Sequence, residues 1–253
     1  MVHLRFIGNQ VYLGDEEIPL ETHIYLPNRG ITGISGTCPD SLTTLTLGGN
    51  EITPLFGVGR ERFCVGNLRV LMIDDNQITS LFDENGEQFQ VGALHLVRLG
   101  NNLISSLFNR DGSQFDPGYI SLLRLENNLI SSLFSDSGLQ FHPGNLYMLN
   151  LEGNRITSLF NNRGVQFETR SLVQIVLENN KISRLTNEDG DIFDLKISKL
   201  ENLGYITLAS NPITEMVSYH AELDGLDRLE NYLEALKLEK WCSRTKSARA
   251  SIH

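Results

Sequence analysis

"LRLENNLISSLF" (residues 123–134) decides the fold, because it does not occur only once. Nearly the same string stands at 71–82 (LMIDDNQITSLF), 97–108 (VRLGNNLISSLF) and 149–160 (LNLEGNRITSLF), always 26 residues from its neighbour. A strict period in the range of roughly 20–50 residues marks a repeat architecture. Each repeat is then one turn of a coil, and its apolar face can be buried only by the turns on either side.

Aligned on one asparagine, the frame is L-x-x-L-x-L-x-x-N-x-I, with Asn50, Asn76, Asn102, Asn128, Asn154, Asn180 and Asn211 at the key position. The first five intervals are 26 residues; the last is 31, with the extra residues around Leu195–Leu203. Three positions before each Asn stand Leu47, Ile73, Leu99, Leu125, Leu151, Leu177 and Leu208, and two after it come seven isoleucines, from Ile52 to Ile213. A degenerate copy, IYLPNRGIT (24–32), precedes these and carries Arg29 in place of the Asn.

These residues resemble the leucine-rich repeat family over 24–213, in an intracellular form without cysteine caps. The resemblance implies a curved, right-handed solenoid in which each x-L-x-L stretch is a short strand of a parallel sheet lining a concave face. Strand geometry alone leads to the same sheet, since alternate leucines point to one side and need neighbouring turns to cover them. The asparagine stands where the chain leaves the strand. Its amide is both donor and acceptor and suits backbone groups that the turn would otherwise bury unpaired.

The other half of each repeat reads LFDENGEQF (81–89), LFNRDGSQF (107–115), LFSDSGLQF (133–141) and LFNNRGVQF (159–167). A central glycine (Gly86, Gly112, Gly138, Gly164) interrupts any helical pattern, so a hairpin on the convex side is expected, not a helix. A two-residue turn on Asn85-Gly86 would set Phe82 opposite Phe89, and likewise Phe108 opposite Phe115, Phe134 opposite Phe141 and Phe160 opposite Phe167. Eleven of the twelve phenylalanines fall in these two columns, which are expected to be core spines. Hairpins need more room along the stack than single strands, which predicts a curved coil.

An open stack needs caps. Four segments are expected: an N-terminal β cap at 1–23, with a hairpin around Gly8-Asn9; the repeats at 24–213; a C-terminal helical cap at 214–241; and a basic tail at 242–253. The helix is expected from Leu223, Leu226, Leu229, Leu233 and Leu236, which recur at spacings of three and four.

The chain is acidic, with net charge -10 and pI ≈ 5.1, so its body should repel DNA and anionic membranes. The basic C-terminal segment is the one part suited to an acidic partner or RNA. No stretch approaches the roughly 20 apolar residues of a membrane span, and the N-terminus lacks a signal-peptide pattern. Three widely spaced cysteines (Cys38, Cys64, Cys242) argue for a reducing setting, so an intracellular, cytoplasmic location is expected. The six histidines show no metal-ligand spacing, and no nucleophile or phosphate-loop motif occurs; no cofactor, no metal and no enzymatic activity are expected.

Function in a solenoid is carried by the outward positions that vary between repeats. Three rows result. The first runs Thr44, Val70, Leu96, Leu122, Met148, Gln174, Tyr205, apolar from Val70 to Met148; the second Thr46, Met72, Arg98, Arg124, Asn150, Val176, Thr207; the third Gly48, Asp74, Gly100, Glu126, Glu152, Glu178, Ala209. The first is expected to be an exposed apolar strip, flanked by two arginines and an acidic rim, a pattern that suits a protein partner. The leading expectation is a protein-interaction module or scaffold that grips a partner with its concave face. A structural subunit of a larger assembly, or the recognition subunit of an enzyme encoded elsewhere, are the alternatives.

Overall fold

The structure, a computed structural model, describes residues 1–56, 62–168, 172–193 and 205–213. Among the described residues thirteen strands follow in chain order. They begin with β1 (Val2–Ile7), β2 (Gln10–Leu13), β3 (Glu16–Ile18), β4 (His23–Tyr25) and β5 (Ile31–Thr37). There follow β6 (Thr44–Thr46), β7 (Phe63–Cys64), β8 (Val70–Met72), β9 (Leu96–Arg98), β10 (Leu122–Arg124), β11 (Met148–Asn150), β12 (Gln174–Val176) and β13 (Tyr205–Thr207). They form a parallel β-solenoid of about 26 residues per turn. The long sheet has eight strands in the order β13-β12-β11-β10-β9-β8-β6-β4. Its register is unbroken through the central turns: Val70 pairs with Leu96, Leu96 with Leu122, and Leu122 with Met148.

A second sheet, β3-β2-β1-β5-β7, closes the N-terminal end. In it β1 and β2 pair antiparallel with Ile7 opposite Gln10, about a turn at Gly8-Asn9, and β1 runs parallel to β5. At Gly36 (φ 84) a Cβ would collide with the carbonyl oxygen of Phe6, so only glycine lets β5 approach β1 here.

Between the strands the core is a set of columns. Leu71, Val97, Leu123 and Leu149 are fully buried, and so are Ile73, Leu99, Leu125 and Leu151 beside them. Burying each such side chain contributes about 1.5–3 kcal/mol. No turn has enough of them to fold alone.

The asparagine column ties the turns together, as its chemistry suggests. Asn128, 3 % exposed, accepts at Oδ1 from the amide of Ile104 (2.9 Å) and donates through Nδ2 to the carbonyls of Leu99 (2.9 Å) and Leu125 (3.1 Å). Asn76, Asn102, Asn154, Asn180 and Asn211 repeat the pattern, each bonding its own turn and the preceding one. The residue just before each of them is left-handed, with φ between 53° and 69° at Gly49, Asp75, Asn101, Asn127, Gly153, Asn179 and Ser210. That column holds only residue types that tolerate this conformation or compensate it locally.

The hairpins opposite the sheet strands in each repeat form, but with a different turn from the expected one. Asp83 donates its amide to the Glu87 carbonyl, the Gly86 amide donates to the Asp83 carbonyl, and Gly86 takes φ 80. This is a three-residue loop with glycine in the left-handed position. Phe82 therefore lies opposite Gln88, not Phe89, and the same shift holds for Phe108, Phe134 and Phe160. The cause is the side chain at the first turn position: Asp83 Oδ1 accepts from the amides of Asn85 and Glu87, both at 2.9 Å, and so closes the larger loop around itself. Asn109 and Asn161 do the same.

Ten of these eleven phenylalanines are buried as spines and Phe56 is partly buried, with their aromatic contacts running between turns. Phe89 stacks on Phe115 with ring centroids 5.4 Å apart, and Phe134 and Phe160 meet Phe167 and Phe193 edge-on. Gln88 and Gln114 add another ladder: each accepts from the amide and donates to the carbonyl of the residue 28 positions ahead, Asp116 and His142.

The expected C-terminal helix, the basic tail and the inserted stretch before β13 lie outside the described residues. Among the described residues no helix is long and apolar enough to cross a membrane.

Candidate functional site on the eight-stranded sheet

The eight-stranded sheet brings the three outward rows together. Pairing in register sets Val70, Leu96, Leu122 and Met148 side by side, with Met72, Arg98, Arg124 and Asn150 as a second row two residues further along the strands. Backbone bonds from Asn101 to Glu126, from Asn127 to Glu152 and from Gly153 to Glu178 carry the register into the third row.

The apolar row is half-buried and not open, a correction to its expected exposure. At roughly 4.8 Å between strands, each side chain is partly covered by its neighbours in the row. Two members of the predicted set turn inward to the chain's own needs. Asp74, 9 % exposed, accepts at Oδ1 from the Gly100 amide (3.1 Å), and its Oδ2 stands 3.0 Å from Arg98 Nε. That ion pair is off line for a hydrogen bond, so Arg98 Nε is buried without one. Asn150 is buried too, and its Oδ1 accepts from the Glu152 amide at 2.9 Å.

The remaining polar groups are less satisfied. Arg98 pairs with Asp74, not with Glu126, and Arg124 has no ion pair among the described residues. The Glu126 side chain lies across Gly100, where a Cβ would stand 3.0 Å from its Cγ. Its Oε2 is buried with no hydrogen-bond partner. Glu152 Oε1 accepts from Asn179 Nδ2 at 3.2 Å. Leaving a buried carboxylate oxygen unpaired costs about 1–3 kcal/mol or more, so this face holds polar capacity that the chain itself does not use.

Two residues of the face were not among the expected site residues. β4 pairs in register with β6, which puts His23 in the first row and Tyr25 in the second. Tyr25 is 65 % exposed, packs edge-on to His23, and His23 Nε2 lies 3.1 Å from Thr46 Oγ1. The degenerate copy at 24–32 held the signal, because its alignment sets Tyr25 against Thr46.

A concavity of about 780 Å³ runs along the hairpin side past Ser80, Ser106 and Ser132. Those hydroxyls already accept from the amides of Phe82, Phe108 and Phe134 at 2.9 Å, which gives them a structural role. Among the described residues no three His, Cys, Asp or Glu side chains converge as they would to hold a metal ion. Compared with known proteins, the chain matches no family model and no curated protein.

Proposed function

We propose that this chain is a leucine-rich-repeat protein, a curved right-handed coil, that binds a partner protein through its concave sheet. The observation that carries the reading is the pairing of a continuous, half-buried apolar row with an arginine, Arg124, that has no acidic partner among the described residues. Interface centres combine apolar area with arginine in this way. The repeat reading rests on the asparagine ladder and the 26-residue period. Two free thiols, Cys38 and Cys64, support a reducing intracellular location, cytoplasmic in this reading.

A structural-subunit role is the second reading. Leu139 and Val165 favour it, standing 63 % and 53 % exposed on adjacent hairpin turns. Affinity capture with wild type, Leu96→Asp/Leu122→Asp and Leu139→Asp/Val165→Asp tests the two against each other. A partner lost only in the first variant supports concave binding; a partner lost only in the second overturns it.

A further inference from the structure

The concave face differs along its width, and this difference specifies the chemistry of what it would hold. We infer that it takes an α-helix lying along the stack, apolar on one flank and basic on the other, with an acidic residue on the line between them. The inference rests on the concave-face reading and deepens it.

Width is the first ground. The apolar and acidic rows are four residues apart along the chain, the acidic row standing two residues beyond each strand's end, so they are at most about 13 Å apart at 3.3 Å per extended residue. An α-helix with its side chains is about 10–12 Å across, so its two flanks reach both rows. An extended segment presents alternate side chains to opposite faces and would engage one row only. Length agrees: three strand intervals from Val70 to Met148 span about 14 Å, close to three helical turns of about 5.4 Å.

Charge is the second ground. Glu126, Glu152 and Glu178 stand in register on successive turns, roughly 4.8 Å apart. Like charges directly opposite one another repel. Glu126 Oε2 is buried without a donor, and no hydrogen bond or ion pair reaches the Glu178 side chain among the described residues. A row of lysines or arginines along this edge would relieve the repulsion between the carboxylates. Between the flanks Arg124 lacks an acid, which a single carboxylate on the helix midline supplies.

The test uses the full chain and three synthetic peptides of about 18 residues. One is a leucine/lysine helix of the stated pattern, the second has glutamate for each lysine, and the third has the first's composition with central prolines that break the helix. Binding is followed by fluorescence anisotropy against wild type, Glu152→Gln/Glu178→Gln, Leu122→Asp and a hairpin-turn control, Asp83→Asn/Glu87→Gln. The expected result is binding of the first peptide alone, weakened roughly threefold to thirtyfold by Glu152→Gln/Glu178→Gln and by added salt, abolished by Leu122→Asp and unchanged in the control.

Equal binding of the acidic peptide overturns the charge assignment, and equal binding of the proline peptide overturns the helix. In both cases sensitivity to Leu122→Asp would leave the concave site standing. Binding that survives Leu122→Asp, or is lost equally in the control, places the peptide elsewhere and overturns the inference. If no peptide binds while a captured partner is still lost in Leu96→Asp/Leu122→Asp, the helix inference falls and the concave reading stands.

Discussion

Asn128 is the position at which the fold can be tested by removing a single carboxamide group. Replacing it with alanine removes Oδ1 from the Ile104 amide and Nδ2 from the carbonyls of Leu99 and Leu125. The losses are unequal. Leu99 still accepts from Asn102 Nδ2 and Leu125 from Asn154 Nδ2, whereas the Ile104 amide has no substitute in the bonding pattern. One buried amide left unpaired costs about 1–3 kcal/mol, and the void and the two weakened carbonyls add to it, giving about 2–4 kcal/mol in all. Urea unfolding followed by circular dichroism reads this directly, with accelerated hydrogen exchange expected at the Ile104 amide. Asn128→Asp sharpens the test. It keeps the acceptor for Ile104 but turns an anionic oxygen toward the Leu99, Leu125 and Glu126 carbonyls. Burial, with only carbonyl oxygens facing its second oxygen, raises the folded-state pKa of the new carboxyl above its ordinary value of about 3.9. The folded state then holds the proton more tightly, so the variant is at its most stable below the unfolded pKa and loses stability as pH rises toward the folded one. An alanine variant within about 0.5 kcal/mol of wild type, or an aspartate variant with a flat pH profile, would refute this reasoning.

Other outcomes follow from particular contacts. Gly112→Ala should cost about 1–2 kcal/mol, because its left-handed backbone (φ 83) is strained for alanine while its Cβ meets nothing closer than 3.8 Å. Gly36→Ala should cost more and detach β1 from β5, since the added methyl strikes the Phe6 carbonyl; thermal melts and exchange of the β1 amides compare the two. Phe115→Ala, which removes a fully buried ring stacked on Phe89, should lower stability by about 3–5 kcal/mol in urea titration. Burial raises the Cys38 thiol far above its ordinary pKa, with Cys64 adding to the shift. Its folded pKa lies above its unfolded one, so this group's contribution is intact at neutral pH and declines once pH exceeds the unfolded value of about 8.5. Cys38 should accordingly resist alkylation in the folded chain, and Cys38→Ala should flatten the alkaline fall in stability.

Much of this fold is written in residues whose spacing leaves one solution. The leucine and isoleucine columns specify a parallel stack, because only neighbouring turns can cover them. The asparagine column specifies where each turn leaves the sheet. The hairpin turn was harder to read. Asn85-Gly86 suggested a two-residue hairpin, yet Asp83, two positions earlier, draws the loop around its own carboxylate and shifts the pairing by one. Side-chain capping of this kind competes with a dipeptide preference, and the two were not separable from the string alone. The outward rows of the site were legible from alternation, but their burial was not. It depends on how Asp74 and Asn150 bond within the sheet and on Gly100 making room for Glu126. His23 and Tyr25 were hidden by the degenerate first repeat, whose Arg29 breaks the asparagine frame.

The most direct test of the central claim is site-specific photo-cross-linking in source-cell extract. A photoreactive residue would be placed either at Leu122, on the eight-stranded sheet, or at Leu139, in a hairpin turn, and adducts identified by mass spectrometry. Concave binding predicts one defined protein adduct from position 122 that is absent from position 139 and is lost when Leu96→Asp is added. A defined adduct from position 139 alone, or the same set of adducts from both positions, would contradict it.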